Sequence, residues 1–388
     1  MKISRVECLV LQNEHIEADA CSSAQDDLVV LIHTDTGLVG IGETDTNPWG
    51  VKALIEAPGT HVMGLGLAEM LIGEDPCQPV ALWEKLYAGS AMNTRRGLGI
   101  CAIGALDMAL WDLWGKATGQ PVWNLLGGAV RETLTPYASL LPDGDTLETY
   151  RKSLVDKATA AVTYGFRAIK AEVCLNGPYS HMGLQESNAE VVATVAAVRA
   201  AIGDDVDLMV DVAYAWSDVH EAAQVMRELE RYDLFFLETP LPADDLAGHA
   251  RLAHRTPIRI ASGEWLNTRF EFHDLINAGV QVVQPDIGRV GGLTEARRVV
   301  EHARDHGRLV VPHCWKTGIG IAASAHLCAT AVNAPYLEFL PSALADSPLR
   351  RDLLSVELEL VDGRLPLPTS PGLGVTLDDD AVDRFRVA

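Results

Sequence analysis

No two cysteines in this chain are spaced as C-x-x-C, and no apolar run reaches the roughly 20 residues that a bilayer span requires. Basic residues are in the minority, 31 against 53 acidic. Each absence excludes something. Seven cysteines, at 8, 21, 77, 101, 174, 314 and 328, form an odd and unpatterned set; they read as free thiols of a reducing compartment, mostly small buried apolar residues. The opening MKISRVECLVLQNEHIEADA has a short apolar core soon followed by acid, so no secretory signal is expected and a cytoplasmic location is. A formal charge of −22 argues against nucleic acid or an anionic membrane as partner. It does not argue against a small anion, because a local metal or lysine can invert the field at a site.

At 388 residues the chain exceeds one ordinary domain, and 48% hydrophobic residues supply ample core. The first part, with ISRVECLVL and DDLVVLIHTDTGLVGIGET, is rich in β-branched residues around a Thr36-Gly37 turn. From about Trp49 to Leu126 the texture is helical. The clearest stretch, LGICAIGALDMALWDLWGKATG, sets Ile103, Leu106, Leu110 and Leu113 on one face and ends before Gly119. Past residue 128 strand-like and helix-like segments alternate. Apolar runs fall near 134–140, 166–173, 207–212, 234–238, 258–262, 280–285, 308–312 and 335–339. Eight such units predict a (β/α)-barrel over 129–354, an open doubly wound sheet being the alternative, although the last two intervals look short for a helix and its loops. The fold class is therefore α/β: a modified TIM barrel behind an α+β capping domain of residues 1–128, which the segment of about 355–388 returns to complete.

The polar residues that close these runs carry the chemistry, since active sites of such barrels lie at the C-terminal strand ends. In order they are Lys170 and Glu172, Asp211, Glu238, Glu264, Asp286, His313 and Glu338. A lone carboxylate at a strand end is more often a helix cap or salt-bridge partner than a ligand. Seven consecutive strands ending in an ionisable group are different, because burying that much charge is costly without function. Asp211, Glu238 and Glu264 lie 27 and 26 residues apart, one βα unit each. Three converging carboxylates repel unless a cation neutralises them, and an all-oxygen set suits Mg²⁺.

With GFRAIK, Asp211/Glu238/Glu264, the QPD and VPH segments and the terminal PGLGV in view, the chain resembles the enolase superfamily, within it the mandelate racemase subgroup, over essentially its whole length. The resemblance implies metal ligation by Asp211, Glu238 and Glu264 and a catalytic His313–Asp286 dyad that removes the proton α to a carboxylate. It implies a homo-oligomer as well. Elementary chemistry agrees with the residue types: a metal stabilises the charge that develops on the carboxylate, and an imidazole is a base of suitable strength. Lys170 adds positive charge beside the substrate, and Glu338, if kept protonated, could donate a hydrogen bond to the enediolate.

One departure matters. Subgroup members commonly carry Lys-x-Lys where this chain has Lys170-Ala171-Glu172. Proximity to the metal and to Lys170 is expected to lower the Glu172 pKa, which makes reprotonation from its side poor. The reading is therefore a Mg²⁺-dependent sugar-acid dehydratase, with a racemase/epimerase or lactone cycloisomerase as the alternative and a non-catalytic barrel as a third possibility. Substrate contacts are expected from Lys316, Trp49 and His181, and also from Arg289, His61 and the loops Asp19–Ser23 and Thr46–Gly50.

Overall fold

The structure is a computed structural model that describes residues 1–345 and 347–388. Its first 44 residues build an antiparallel sheet of β1 (Ile3–Gln12), β2 (Asp26–Thr34) and β3 (Val39–Thr44), with Gly37 at φ 84° in the turn. Helices α1 (Pro48–Glu56), α2 (Pro79–Gly89) and α3 (Leu98–Thr118) follow. The spacing of glycines in GLVGIGET explains how sheet and helix join. Gly40 and Gly42 share one face of β3, and a Cβ on either would lie 2.2 or 2.1 Å from the carbonyl oxygens of Ala109 and Ala105 on α3. Only hydrogen at those positions lets the helix backbone lie directly on the strand.

Helix α3 has its apolar residues interrupted by Asp107, Asp112 and Lys116, so no unbroken apolar run spans it. It is 21 residues long and, by length and composition alone, apolar enough to cross a membrane. Here it is the hub of the fold, with most of its length buried. Two buried acids on it bond outward. Asp107 accepts from Thr294 N at 2.9 Å and Thr294 Oγ1 at 2.6 Å, and Asp112 accepts from Ile41 N and Leu373 N.

Eight parallel strands form the second sheet: β4 (Pro136–Leu140), β5 (Ala168–Glu172), β6 (Asp207–Asp211), β7 (Leu234–Glu238), β8 (Ile260–Ser262), β9 (Val282–Val283), β10 (Leu309–Val310) and β11 (Leu337–Glu338). They lie in the order β10-β9-β8-β7-β6-β5-β4-β11, so the last strand pairs with the first. Between β10 and β11 no ladder forms among the described residues; Val310 N donates instead to Asn333 O. Each strand falls inside one of the expected apolar runs. The two intervals that look short hold full helices, α4 (Gly292–Asp305) and α5 (Gly318–Thr330), because β9, β10 and β11 each occupy only two residues.

Inside the curled sheet Tyr137, Ala168, Met209, Phe236, Ala261, Val282 and Val311 pack into one buried cluster. Side chains alternate across a strand, so a residue two positions further on points inward one layer higher. The apolar plug of Ala168, Met209 and Phe236 is thereby followed at the mouth by Lys170, Asp211 and Glu238. The C-terminal segment crosses back to the first sheet: Val387 N donates to Val10 O and Val10 N to Ala388 O.

Candidate active site

Above the plug lies a cavity of about 590 Å³, bordered by Lys170, Glu172, Asp211, Glu264, His313 and Glu338. Neighbouring strands bring these groups together in register. Glu172 lies beside Asp211, and Asp211 beside Glu238. Glu264, Asp286 and His313 extend from short loops beyond the ends of β8, β9 and β10.

Lys170 sits at the centre, 3% exposed. Its Nζ is 2.9 Å from Glu238 Oε1, 3.0 Å from Glu338 Oε1 and 3.9 Å from Asp211 Oδ2. Burial alone would depress its pKa, but Glu238 and Glu338 reverse that and hold the ammonium well above the usual range. Glu238 is fully buried, and burial together with the charges of Asp211, Glu338 and Glu264 outweighs Lys170, lifting it to about 8. Its Oε2 has no hydrogen-bond partner.

His313, 8% exposed, places Nδ1 2.7 Å from Asp286 Oδ2 and Nε2 3.3 Å from Glu264 Oε2. Burial pushes the imidazole down, yet the Asp286 hydrogen bond and the charges of Glu264 and Glu338 raise it to about 9. Glu264 takes a second bond, from Tyr214 Oη at 2.8 Å. Asp211 Oδ1 accepts from Ala213 N at 2.9 Å and Thr239 Oγ1 at 2.5 Å.

The donor set fits a hard divalent cation: three buried carboxylates on adjacent strands, one carrying an oxygen with no bond to lose. The three are not drawn into one tight cluster. Among the described residues, the groups whose candidate donor atoms all lie within 4.8 Å are Cys21/Glu172/Cys174 and Asp45/Asp286/His313. In the second of these, Asp45 is already paired with Arg289 and Asp286 with His313, so its charges are satisfied from within.

Several expected contacts are corrected. Glu338 does not keep its proton: burial would raise it, but Lys170 and His313 hold it below the usual carboxylate range, and its Oε2 accepts from Cys314 N at 2.7 Å. Glu172 is moved the other way. Burial, Cys174 and Asp211 raise it well above the usual range, and Lys170, which faces Glu238 and Glu338 instead, counters only part of this. Lys316 is 4% exposed and spends its ammonium on the capping domain, donating to Asp26 Oδ1 at 2.8 Å and Ser23 O at 2.6 Å. Arg289, by contrast, does border the main cavity, where it is paired with Asp45 at 2.9 Å and donates to Glu264 O. Trp49, half exposed on α1, and His61, exposed beside Met92, lie outside the cavity wall. His181 is buried and lines an adjoining cavity, its Nδ1 3.3 Å from Cys21 Sγ. The loop Asp19–Ser23 does border the main cavity, whereas Thr46 and Asn47 border a neighbouring one.

Four residues at the site escaped the sequence reading. Tyr214 follows Asp211 by three positions, and Trp265 follows Glu264 directly; their rings stack at 4.1 Å, with Tyr179 edge-on to both. The fourth is Asp45, from the capping domain. Its only signal was an acid directly after the end of β3.

Comparison with known proteins places the chain in a family. Residues 153–381 match the enolase C-terminal domain-like family, and residues 10–127 match the mandelate racemase / muconate lactonizing enzyme N-terminal domain. The chain belongs to the enolase superfamily, mandelate racemase subgroup. Within this superfamily it is similar to D-galactarolactone cycloisomerase of Agrobacterium fabrum, 31% identical over 93% of this chain and 91% of that one. It is also similar to D-galactonate dehydratase of Ralstonia nicotianae, 33% identical over 92% and 90%. The solved 3,6-anhydro-D-galactonate cycloisomerase of Zobellia galactanivorans superposes with TM-score 0.87 at 30% identity, covering 100% of both chains. A racemase of Streptomyces coelicolor with bound magnesium gives 0.83 at 28%, covering 99% of this chain and 100% of that one. This superfamily member is thus an enzyme whose relatives are hydro-lyases and isomerases.

Proposed function

We propose that this enzyme dehydrates a sugar acid in a Mg²⁺-dependent reaction, removing the proton α to the carboxylate and expelling the β-hydroxyl as water. Asp211, Glu238 and Glu264 would hold the ion. When bound, it would supply Lewis-acid stabilisation of the charge that builds on the substrate carboxylate. Lys170 adds a fixed positive charge on the same side, in a buried setting where charge acts strongly.

The observation that carries the reading is the line Asp286–His313–Glu264, carboxylate, imidazole, carboxylate, at the cavity wall. Asp286 fixes the ring so that Nε2 faces the cavity and favours the imidazolium once a proton is taken. In the free protein Glu264 shares in holding that proton; once Glu264 is committed to a cation its pull on the ring weakens, and Nε2 can act as base. The protonated ring can then pass its proton to the departing hydroxyl. The aromatic wall of Tyr214, Trp265 and Tyr179 offers apolar faces to the carbon chain of a polyol.

The raised pKa of Glu172 favours a second reading. A protonated Glu172 across the cavity from His313 could return a proton, as an epimerase or lactone cycloisomerase requires. The test is incubation of the Mg²⁺-loaded protein with a panel of aldonates, aldarates and their lactones. Semicarbazide-reactive α-keto acid supports dehydration; altered configuration or lactone opening without keto acid supports the second reading. We extend the proposal to a cytoplasmic homo-oligomer acting on a small-molecule carboxylate.

A further inference from the structure

Where the capping loop meets the barrel rim, the thiols of Cys21 and Cys174 meet the Glu172 carboxylate, and the His181 imidazole lies beside Cys21. We propose that they form a binding site for a thiophilic divalent cation, Zn²⁺ in chemical class, separate from the all-carboxylate site beside it.

Three of the donor atoms are already drawn together and the His181 ring adjoins one of them, so a bound ion would close the set into a tetrahedron. With Zn–S near 2.3 Å and Zn–N or Zn–O near 2.1 Å, neighbouring ligand atoms should lie roughly 3.4–3.8 Å apart. Two edges match within a tenth or so: Cys21 Sγ to His181 Nδ1 is 3.3 Å, and Cys174 Sγ to Glu172 Oε1 is 3.5 Å. The Cys21, Cys174 and Glu172 donor atoms all lie within 4.8 Å of one another. Supporting bonds fix the cage from outside. His181 N donates to Cys174 O at 3.0 Å, which holds the ring next to Cys21. Tyr150 Oη donates to Glu172 O at 2.9 Å and lies 3.7 Å from Cys174 Sγ.

Access is open, since Cys21 and Glu172 both border the main cavity. Two thiolates and an imidazole select against Mg²⁺, which prefers oxygen. Uptake forms two metal–sulfur bonds and bonds to the Glu172 oxygen and the His181 nitrogen, and releases the two thiol protons and the Glu172 proton to solvent. An ion here ties the 17–25 loop of the capping domain to the end of β5, closing one side of the cavity mouth.

The test uses the full-length protein, reduced with a phosphine and held in excess Mg²⁺, titrated with Co²⁺ and then Zn²⁺. One equivalent of Co²⁺ should produce a thiolate-to-cobalt charge-transfer band in the near ultraviolet, erased by one equivalent of Zn²⁺. Cys21→Ser and Cys174→Ser should abolish the band, and His181→Gln and Glu172→Gln should shift it. Carboxylates give no such band, so an ion in the neighbouring site cannot mimic the result, and failure here leaves the proposed reaction untouched. Should Cys174→Ser not fold, Cys21→Ser in the surface loop decides alone. A band that survives Cys21→Ser would overturn the proposal. So would its absence in the wild type, or a protein that takes up no ion and only forms a Cys21–Cys174 disulfide under mild oxidant.

Discussion

The ammonium of Lys170 lies 2.9 Å from Glu238 Oε1 and is shared with Glu338, so one buried cation balances carboxylates on strands from opposite sides of the barrel mouth. Replacing it with Met leaves those charges uncompensated. Lys170→Met should destabilise the apoprotein by about 3–5 kcal/mol, the cost of breaking a buried pair, measured as a lower urea midpoint. Added Mg²⁺ should recover part of the loss, because a bound cation restores the missing positive charge.

Cation affinity should depend on pH in a definite direction. Glu238 titrates at about 8 in the free protein and must lose its proton to ligate. Mg²⁺ binding should therefore tighten as pH rises through 8 and level off only above about 9, where His313 has also lost its proton. Calorimetry in buffers of different ionisation enthalpy should detect proton release at pH 7 that diminishes as pH rises through 8 and 9, and Glu238→Gln should abolish the binding.

His313 is the expected base. In deuterated buffer with a turned-over sugar acid, His313→Asn should lower α-proton exchange by at least about 100-fold, while Glu172→Gln retains a measurable part of it. Proton NMR of the substrate reads both. Undiminished exchange in the His313 variant would remove that residue from the mechanism.

Lys316 holds the capping loop through Ser23 O and Asp26. Lys316→Met should cost about 1.5–3 kcal/mol, the range for hydrogen bonds to charged groups. It should also expose residues 17–25 to limited proteolysis. If the loop stays protected, the contacts to Asp26 and Ser23 are not what hold it.

His326 is fully buried and neutral, accepting from Trp123 N at 3.0 Å and donating to Leu373 O at 3.1 Å. Burial lowers its pKa to about 4, below the ordinary value of 6.5. Between those values the unfolded chain binds the extra proton, so this residue's contribution is complete above pH 6.5 and is lost as pH falls toward 4. The loss should reach about 3 kcal/mol. Chemical denaturation across pH 4–8 should show it as a slope in the wild-type stability minus that of His326→Gln.

The sequence by itself determined the eight strands, the groups at their ends and the helix that begins at Leu98, because alternation and helical spacing are local properties of the chain. It also placed Asp286 and His313 at the barrel mouth, since a residue just past a barrel strand arrives there, while their pairing as a dyad came from the resemblance to the enolase superfamily. Tertiary structure alone decided which charge meets which. Lys316 looked free until Asp26, 290 residues away in the chain, arrived to claim it. Glu172 was expected to be acidified by Lys170, but the packed barrel aims that ammonium at Glu238 and Glu338 and leaves Glu172 among thiols. Periodicity places a side chain on a face; its protonation and partners depend on burial and on neighbours that only folding assembles.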